Sequence, residues 1–177
     1  MIDRQTIDRL VIEQLPSALR FARRLTGNAD LAEDLVQETL ARVLKRWPSL
    51  VDESAFRSWM MQILVNADRD RRRKKQSQQT LLKDGESEQI TAETPEPFEN
   101  AVAGEMREKI EEALNGLPER QRQVAWLRFG EDFDAKEIAN TLEISTANVH
   151  ACLSLARVRV AEAIGFERSK KQQALRE

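Results

Sequence analysis

FRSWMMQILVNADRDRRRKK, residues 56–75, places apolar side chains at Phe56, Trp59, Met60, Ile63, Leu64 and Ala67. The steps of three and four put them on one face of an amphipathic helix. Its last part turns basic, with Arg69, Arg71, Arg72, Arg73, Lys74 and Lys75 interrupted by Asp68 and Asp70. A helix anchored in a core at one end and cationic at the other can lay charge along a polyanion. Cations at a helix C-terminus are also favoured by the helix dipole alone, so this stretch leaves both readings open. Trp59 falls on the apolar stripe, which makes it a core residue rather than a stacking platform.

The composition of the whole chain is that of a helical protein. Of 177 residues, 41% are hydrophobic and 33% charged, with few glycines and prolines and a net charge of −2. That length suits one domain or two small ones. Net charge near neutrality does not exclude nucleic acid, because the charges are segregated along the chain and a local patch does the binding. No apolar run reaches the ~20 residues needed to span a bilayer, and no signal pattern opens the chain, so a cytoplasmic protein without membrane insertion is expected. Cys152 and His150 are single, which rules out an internal disulfide and a Cys/His zinc site. No phosphate loop or catalytic triad pattern is visible; neither a cofactor nor an enzyme is expected.

N-terminal to the basic helix, residues 1–25 read as a first helix or two, with Pro16 interrupting it or starting its second segment, and Gly27 stands where a left-handed stop belongs. A second helix is expected from Asp30, with Glu33 as a capping-box partner, to about Trp47. Leu31, Leu35, Val36, Leu40, Val43, Leu44 and Trp47 form its apolar side; Glu33, Asp34, Gln37, Glu38 and Arg42 lie opposite. C-terminally, residues 76–104 carry six carboxylates against Lys83, with Thr94-Pro95-Glu96-Pro97 inside. That composition reads as a flexible acidic linker between two compact pieces. Beyond it, Val102, Met106, Ile110, Ala113 and Leu117 mark a helix stopping at Asn115-Gly116. Pro118 begins another helix, with Val124, Leu127 and Trp126 inward, and the GEDFD segment ends it. A short helix over Ala135–Leu142 and a longer one from Ser145 or Thr146 to about Ile164 match a helix-turn-helix. Cys152 borders the inner stripe as a small buried hydrophobe.

With these residues laid out, the chain resembles an extracytoplasmic-function (ECF) sigma factor of bacterial RNA polymerase. ALRFARRLTGNADLAEDLVQETLARVLKRW is similar to the family's polymerase-docking helix. Phe56, Trp59, Ile63, Asn66, Asp70, Arg73 and Lys74 fit its next pattern. In LPERQRQVAWLRFGEDFDAKEIANTLEIS, the pairs Leu117-Pro118 and Leu127-Arg128, with Arg122 and Glu137-Ile138-Ala139, stand where the family has them. The resemblance implies an all-α protein with a docking and minus-ten domain at 1–78, a linker at 79–104 and a minus-thirty-five helix-turn-helix domain at 105–177. It implies core RNA polymerase and promoter DNA as partners. Docking would use Glu33, Asp34, Leu35, Gln37 and Glu38, with Val36 partly covered. Strand opening would use Asn66, Arg69, Asp70, Arg72, Arg73 and Lys74, with an unstacked base held by the 48–55 loop. The helix-turn-helix would contact DNA through Arg122, Thr146, Asn148, His150, Ala151, Ser154 and Arg157.

Two departures stand out. Where the family has a Gly-Thr-Val-Lys-Ser-Arg-like start to the recognition helix, this chain has Ala147-Asn148-Val149-His150-Ala151-Cys152, and Leu155 replaces a later arginine. A weakly cationic, partly apolar face also suits a protein such as an anti-sigma factor. Glu143 occupies a turn position that commonly uses glycine; a left-handed backbone there would be strained. The alternative function is a stand-alone helix-turn-helix regulator dimerising through its N-terminal half. A protein-only adaptor is a third class.

Overall fold

The computed structural model describes residues 2–81 and 101–165, with side chains for 2–77 and 104–165. The middle of the expected acidic linker lies outside them. Packing divides the chain into two compact units, Met1–Glu93 with Lys136–Glu143 and Thr94–Ala135 with Ile144–Glu177.

The first unit is built on α1 (Arg4–Thr26), α2 (Ala29–Arg46) and α3 (Phe56–Leu81). Asp3 caps α1 by accepting from the Thr6 amide at 2.8 Å. Contrary to the sequence expectation, α1 runs through Pro16 as one helix of 23 residues. Ile12 and Pro16 both lie on its exposed face, so the carbonyl deprived of an amide donor opens to water. Gly27 ends the helix as expected, in the left-handed region with φ 66°, its amide bonded to the Arg23 carbonyl. The cap of α2 is Asn28, whose side chain accepts from the Leu31 amide at 2.9 Å. It replaces the expected Asp30–Glu33 pair because Asn28 is already extended at the helix mouth.

Single 3-10 turns at Trp47–Ser49 and Glu53–Ala55 carry the chain into α3, and Asp52 accepts from the Ser54 amide at 2.9 Å. Phe21, Leu35, Val43, Phe56, Met60, Met61 and Leu64 form the centre of the core, each at most 1% exposed. Burial of each such side chain is worth about 1.5–3 kcal/mol, and this, more than propensity, holds three helices together. Leu44, expected inward, is exposed. Residues 136–142 belong to α6 (Ala135–Leu142), where the buried Thr141 hydroxyl donates to the Ser58 carbonyl at 3.3 Å.

The second unit contains α4 (Ala101–Asn115), α5 (Glu119–Ala125) and α7 (Thr146–Ala163). The helical start of α4 falls inside the stretch expected to be linker. The Gly116 amide closes α4 on the Glu112 carbonyl at 3.0 Å, and the Pro118 carbonyl opens α5 by accepting from Arg122. Helix α5 widens into a π turn, Trp126–Gly130. Phe133, with no surface exposed, fastens the acidic loop after it through its amide and the Leu127 carbonyl at 2.9 Å. Leu114, Val124, Leu127, Val149, Leu153 and Ala156 are buried with it, whereas Met106, expected inward, is exposed. Ser145 caps α7 by accepting from the Asn148 amide at 3.2 Å. The turn before it has Glu143 at φ 54°, the left-handed geometry foreseen for that position, at a cost of about 1 kcal/mol or more relative to glycine.

Candidate nucleic-acid interface

The basic end of α3 is organised by a buried carboxylate. Asp68 is 1% exposed and sits 2.8 Å from Arg71 and 2.7 Å from Arg72. The contact of Asp68 Oδ2 with Arg72 Nε has ion-pair distance without hydrogen-bond alignment. Arg72 also donates to the Leu25 carbonyl at 2.8 Å, at the end of α1, where a cation meets the negative pole of that helix. Arg71 and Arg72 are therefore committed to the fold. Asp68 needs them, because an uncompensated charge at that depth is unfavourable by several kcal/mol.

Beyond this clamp the face changes character. Arg73, Lys74 and Lys75 are exposed and make no hydrogen bond or ion pair with the described residues. Arg69 donates to the Asn66 side chain at 3.1 Å, which aims two polar groups along one side of the helix. Asp70 accepts from Arg42 of α2 at 3.1 Å. Arg42 also donates to Glu38 at 2.6 Å. Burial lowers the Arg42 pKa, but its bonds to Glu38 and Asp70 outweigh this and leave it raised. Trp59, expected in the core, is only half-buried, its ring 6.0 Å from that of Phe56.

On α2, Glu33, Asp34, Gln37 and Glu38 form an exposed acidic face. Leu35 and Val36 do not join it. They are 1% and 5% exposed, because the helix turns them toward the core, so Leu35 backs the acidic face without being available to a partner.

On α7, Thr146, Asn148, His150, Ala151, Ser154 and Arg157 all lie exposed, while Val149, Cys152, Leu153 and Ala156 are buried. The same outward surface carries Leu155 and Val158, 53% and 50% exposed. Arg122 stands apart from this set. It donates to the Asn115 carbonyl at 3.2 Å, satisfying the end of α4. The sequence reading missed the partnerships of Asp68 and Arg42. Spacings of three and four to Arg71, Arg72 and Glu38 signalled the local pairs, but nothing signalled the bonds that cross between helices.

Among the described residues no cluster of His, Cys, Asp and Glu could hold a metal ion, and no helix is long and apolar enough to cross a membrane.

The three-helix unit with its cationic edge and the helix-turn-helix have counterparts among known proteins. Residues 10–78 match sigma-70 region 2 and residues 107–160 match sigma-70 region 4. The chain is 31% identical over 160 residues to the ECF RNA polymerase sigma factor SigM of Bacillus subtilis, covering 88% of this chain and 93% of that protein. It is 28% identical over 151 residues to the ECF RNA polymerase sigma factor EcfG of Rhodopseudomonas palustris, covering 85% and 81%. Among solved structures it resembles the sigma factor RpoE of Bartonella quintana in complex with the anti-sigma factor NepR. The TM-score is 0.77 and the identity 25%, over 89% of this chain and 96% of that one. CnrH, in complex with the cytosolic domain of CnrY, shares the fold at TM-score 0.65 and 19% identity, over 92% and 90%.

The chain belongs to the ECF sigma factors of bacterial RNA polymerase. It acts in transcription initiation with core polymerase at promoter DNA, which decides against a stand-alone regulator.

Proposed function

We propose a division of this work among the faces described above. The exposed carboxylates Glu33, Asp34 and Glu38, with Gln37, dock on a basic surface of core polymerase. Asn66, Arg69, Arg73 and Lys74 hold the melted strand of the minus-ten element. The observation that supports this best is the separation of charges in the first unit: Asp68 withdraws Arg71 and Arg72 into the fold and leaves Arg73–Lys75 exposed. Exposed cations release counterions when they meet phosphates, so binding there falls steeply with salt. Asp70 and Arg72 serve as supports of this surface, each being engaged by another side chain.

Residues 1–78 act as the docking and strand-opening domain and 105–177 as the minus-thirty-five domain, joined through 79–104. Thr146, Asn148, His150, Ala151, Ser154 and Arg157 face the major groove, where Asn148 is suited to adenine and Ala151 to a thymine methyl. Arg122 holds the end of α4 and supports that domain from behind. The chain contributes binding, and catalysis of RNA synthesis stays with the polymerase, in the cytoplasm. An anti-sigma factor fits as a further partner: the sigma factor RpoE of Bartonella quintana, which shares this fold, is seen with the anti-sigma factor NepR, and Leu155 and Val158 offer apolar contact.

The test is binding of the full chain to core polymerase by wild type and by Asp34→Arg/Glu38→Arg. Wild-type binding abolished by the reversal supports the docking face; equal binding by both overturns it.

A further inference from the structure

The acidic face of α2 and the strand-binding end of α3 meet at one side chain. Arg42 donates Nη2 to Glu38 and Nη1 to Asp70. Its side chain is 25% exposed, whereas Glu38 and Asp70 remain 45% and 43% exposed. No other described residue shares the guanidinium. One cation therefore serves two half-exposed carboxylates, and the triad carries one net negative charge. Asp70 directly follows Arg69 and stands three residues before Arg73, so its uncovered charge lies within a Debye length of any phosphate held there.

We propose that Arg42 is a positioning residue that couples polymerase docking to strand binding. The inference rests on the docking and strand-binding surfaces proposed above. A basic group of the polymerase that engages Glu38 competes with Arg42 for that carboxylate and repels the guanidinium. Arg42 then turns wholly to Asp70, the carboxylate beside the phosphate site is covered, and the net negative charge of the triad is neutralised. Strand affinity rises on docking. By linkage, a bound strand tightens docking by the same factor.

The experiment measures affinity for a labelled single-stranded oligothymidylate, by the free factor and by the factor–core complex with the contribution of core alone subtracted. The wild type is expected to bind the strand about fivefold more tightly when docked, at the low end of allosteric couplings. Glu38→Gln should raise strand affinity of the free factor, because it mimics the neutralised state. Arg42→Met, which keeps the aliphatic stem, should still dock through Glu33 and Asp34 but lose the enhancement. Asp70→Asn in that background should restore strand affinity, and Arg42→Lys should retain part of the coupling.

An Arg42→Met factor with unchanged enhancement, or one that Asp70→Asn fails to rescue, would overturn the coupling. Its failure is distinguishable from failure of the docking face: in the first case core binding remains sensitive to Asp34→Arg/Glu38→Arg, and in the second it does not.

Discussion

Helices α3 and α7 are both buried on one side and bare on the other, yet their bare sides differ in kind. The end of α3 offers Arg73, Lys74 and Lys75, set out by an internal clamp on Asp68. The outward side of α7 offers small polar groups, one histidine, Arg157 and two exposed aliphatic side chains. Exposed cations of the first kind suit phosphates, whose attraction is strong, sequence-blind and salt-dependent. The second suits base edges, thymine methyls or another protein, where shape and hydrogen bonds decide. The run of exposed cations and the small polar groups thus stand on different helices.

The largest effect is expected at Asp68. Asp68→Ala leaves Arg71 and Arg72 without their buried partner. It should destabilise the protein by about 3 kcal/mol, somewhat less if the partly exposed arginines relax into water. Urea denaturation measures this, and a midpoint equal to wild type would remove the clamp from the account.

Arg73→Ala/Lys74→Ala/Lys75→Ala should leave stability unchanged but make the salt dependence of strand binding shallower, the log–log slope losing about 2 for three phosphates. A slope identical to wild type would move the strand elsewhere. On α7, Leu155→Lys supplies the cation that the family pattern has and this chain lacks. It should steepen the salt slope for duplex binding by about 0.9. No change would mean that Leu155 does not face DNA, which favours a protein contact.

The smallest effect concerns acid. The Ser54 hydroxyl, with the Ser54 amide, holds the Asp52 carboxyl below its ordinary 3.8, and the Thr6 amide does the same for Asp3. A lowered folded pKa stabilises the fold above the ordinary value, and this contribution disappears as pH falls through the still lower folded value. Asp52→Asn should therefore flatten the acid limb of a stability–pH curve below pH 3.8, the variant being slightly less stable than wild type at neutrality and converging with it in acid. An unchanged limb would show that the loop before α3 is not held by this carboxylate.

Much of the fold was legible in the chain because its signals are local. The stripe from Phe56 to Ala67, the stop at Gly27, the Gly116-Pro118 break and the Ser145 start of α7 all depend on residues within a turn or two. Even the unusual Glu143 turn could be foreseen from the residue standing where glycine is common. Local signals misled where the surroundings overruled them: Pro16 sits within a helix because its side faces water, and Asn28 caps α2 before Asp30 can. Phe133 was hidden in an acidic loop, since one aromatic among charges has no periodicity to announce it.

The residues alone make legible a helical chain, the order of its helices, the two exposed surfaces and the family. Which charges on those surfaces are available was decided only by the tertiary structure. Arg42 reaches Asp70 across 28 residues, and Arg72 reaches the Leu25 carbonyl across 47. An ion pair depends on distance in space and on burial, and neither exists for such partners until the helices are packed.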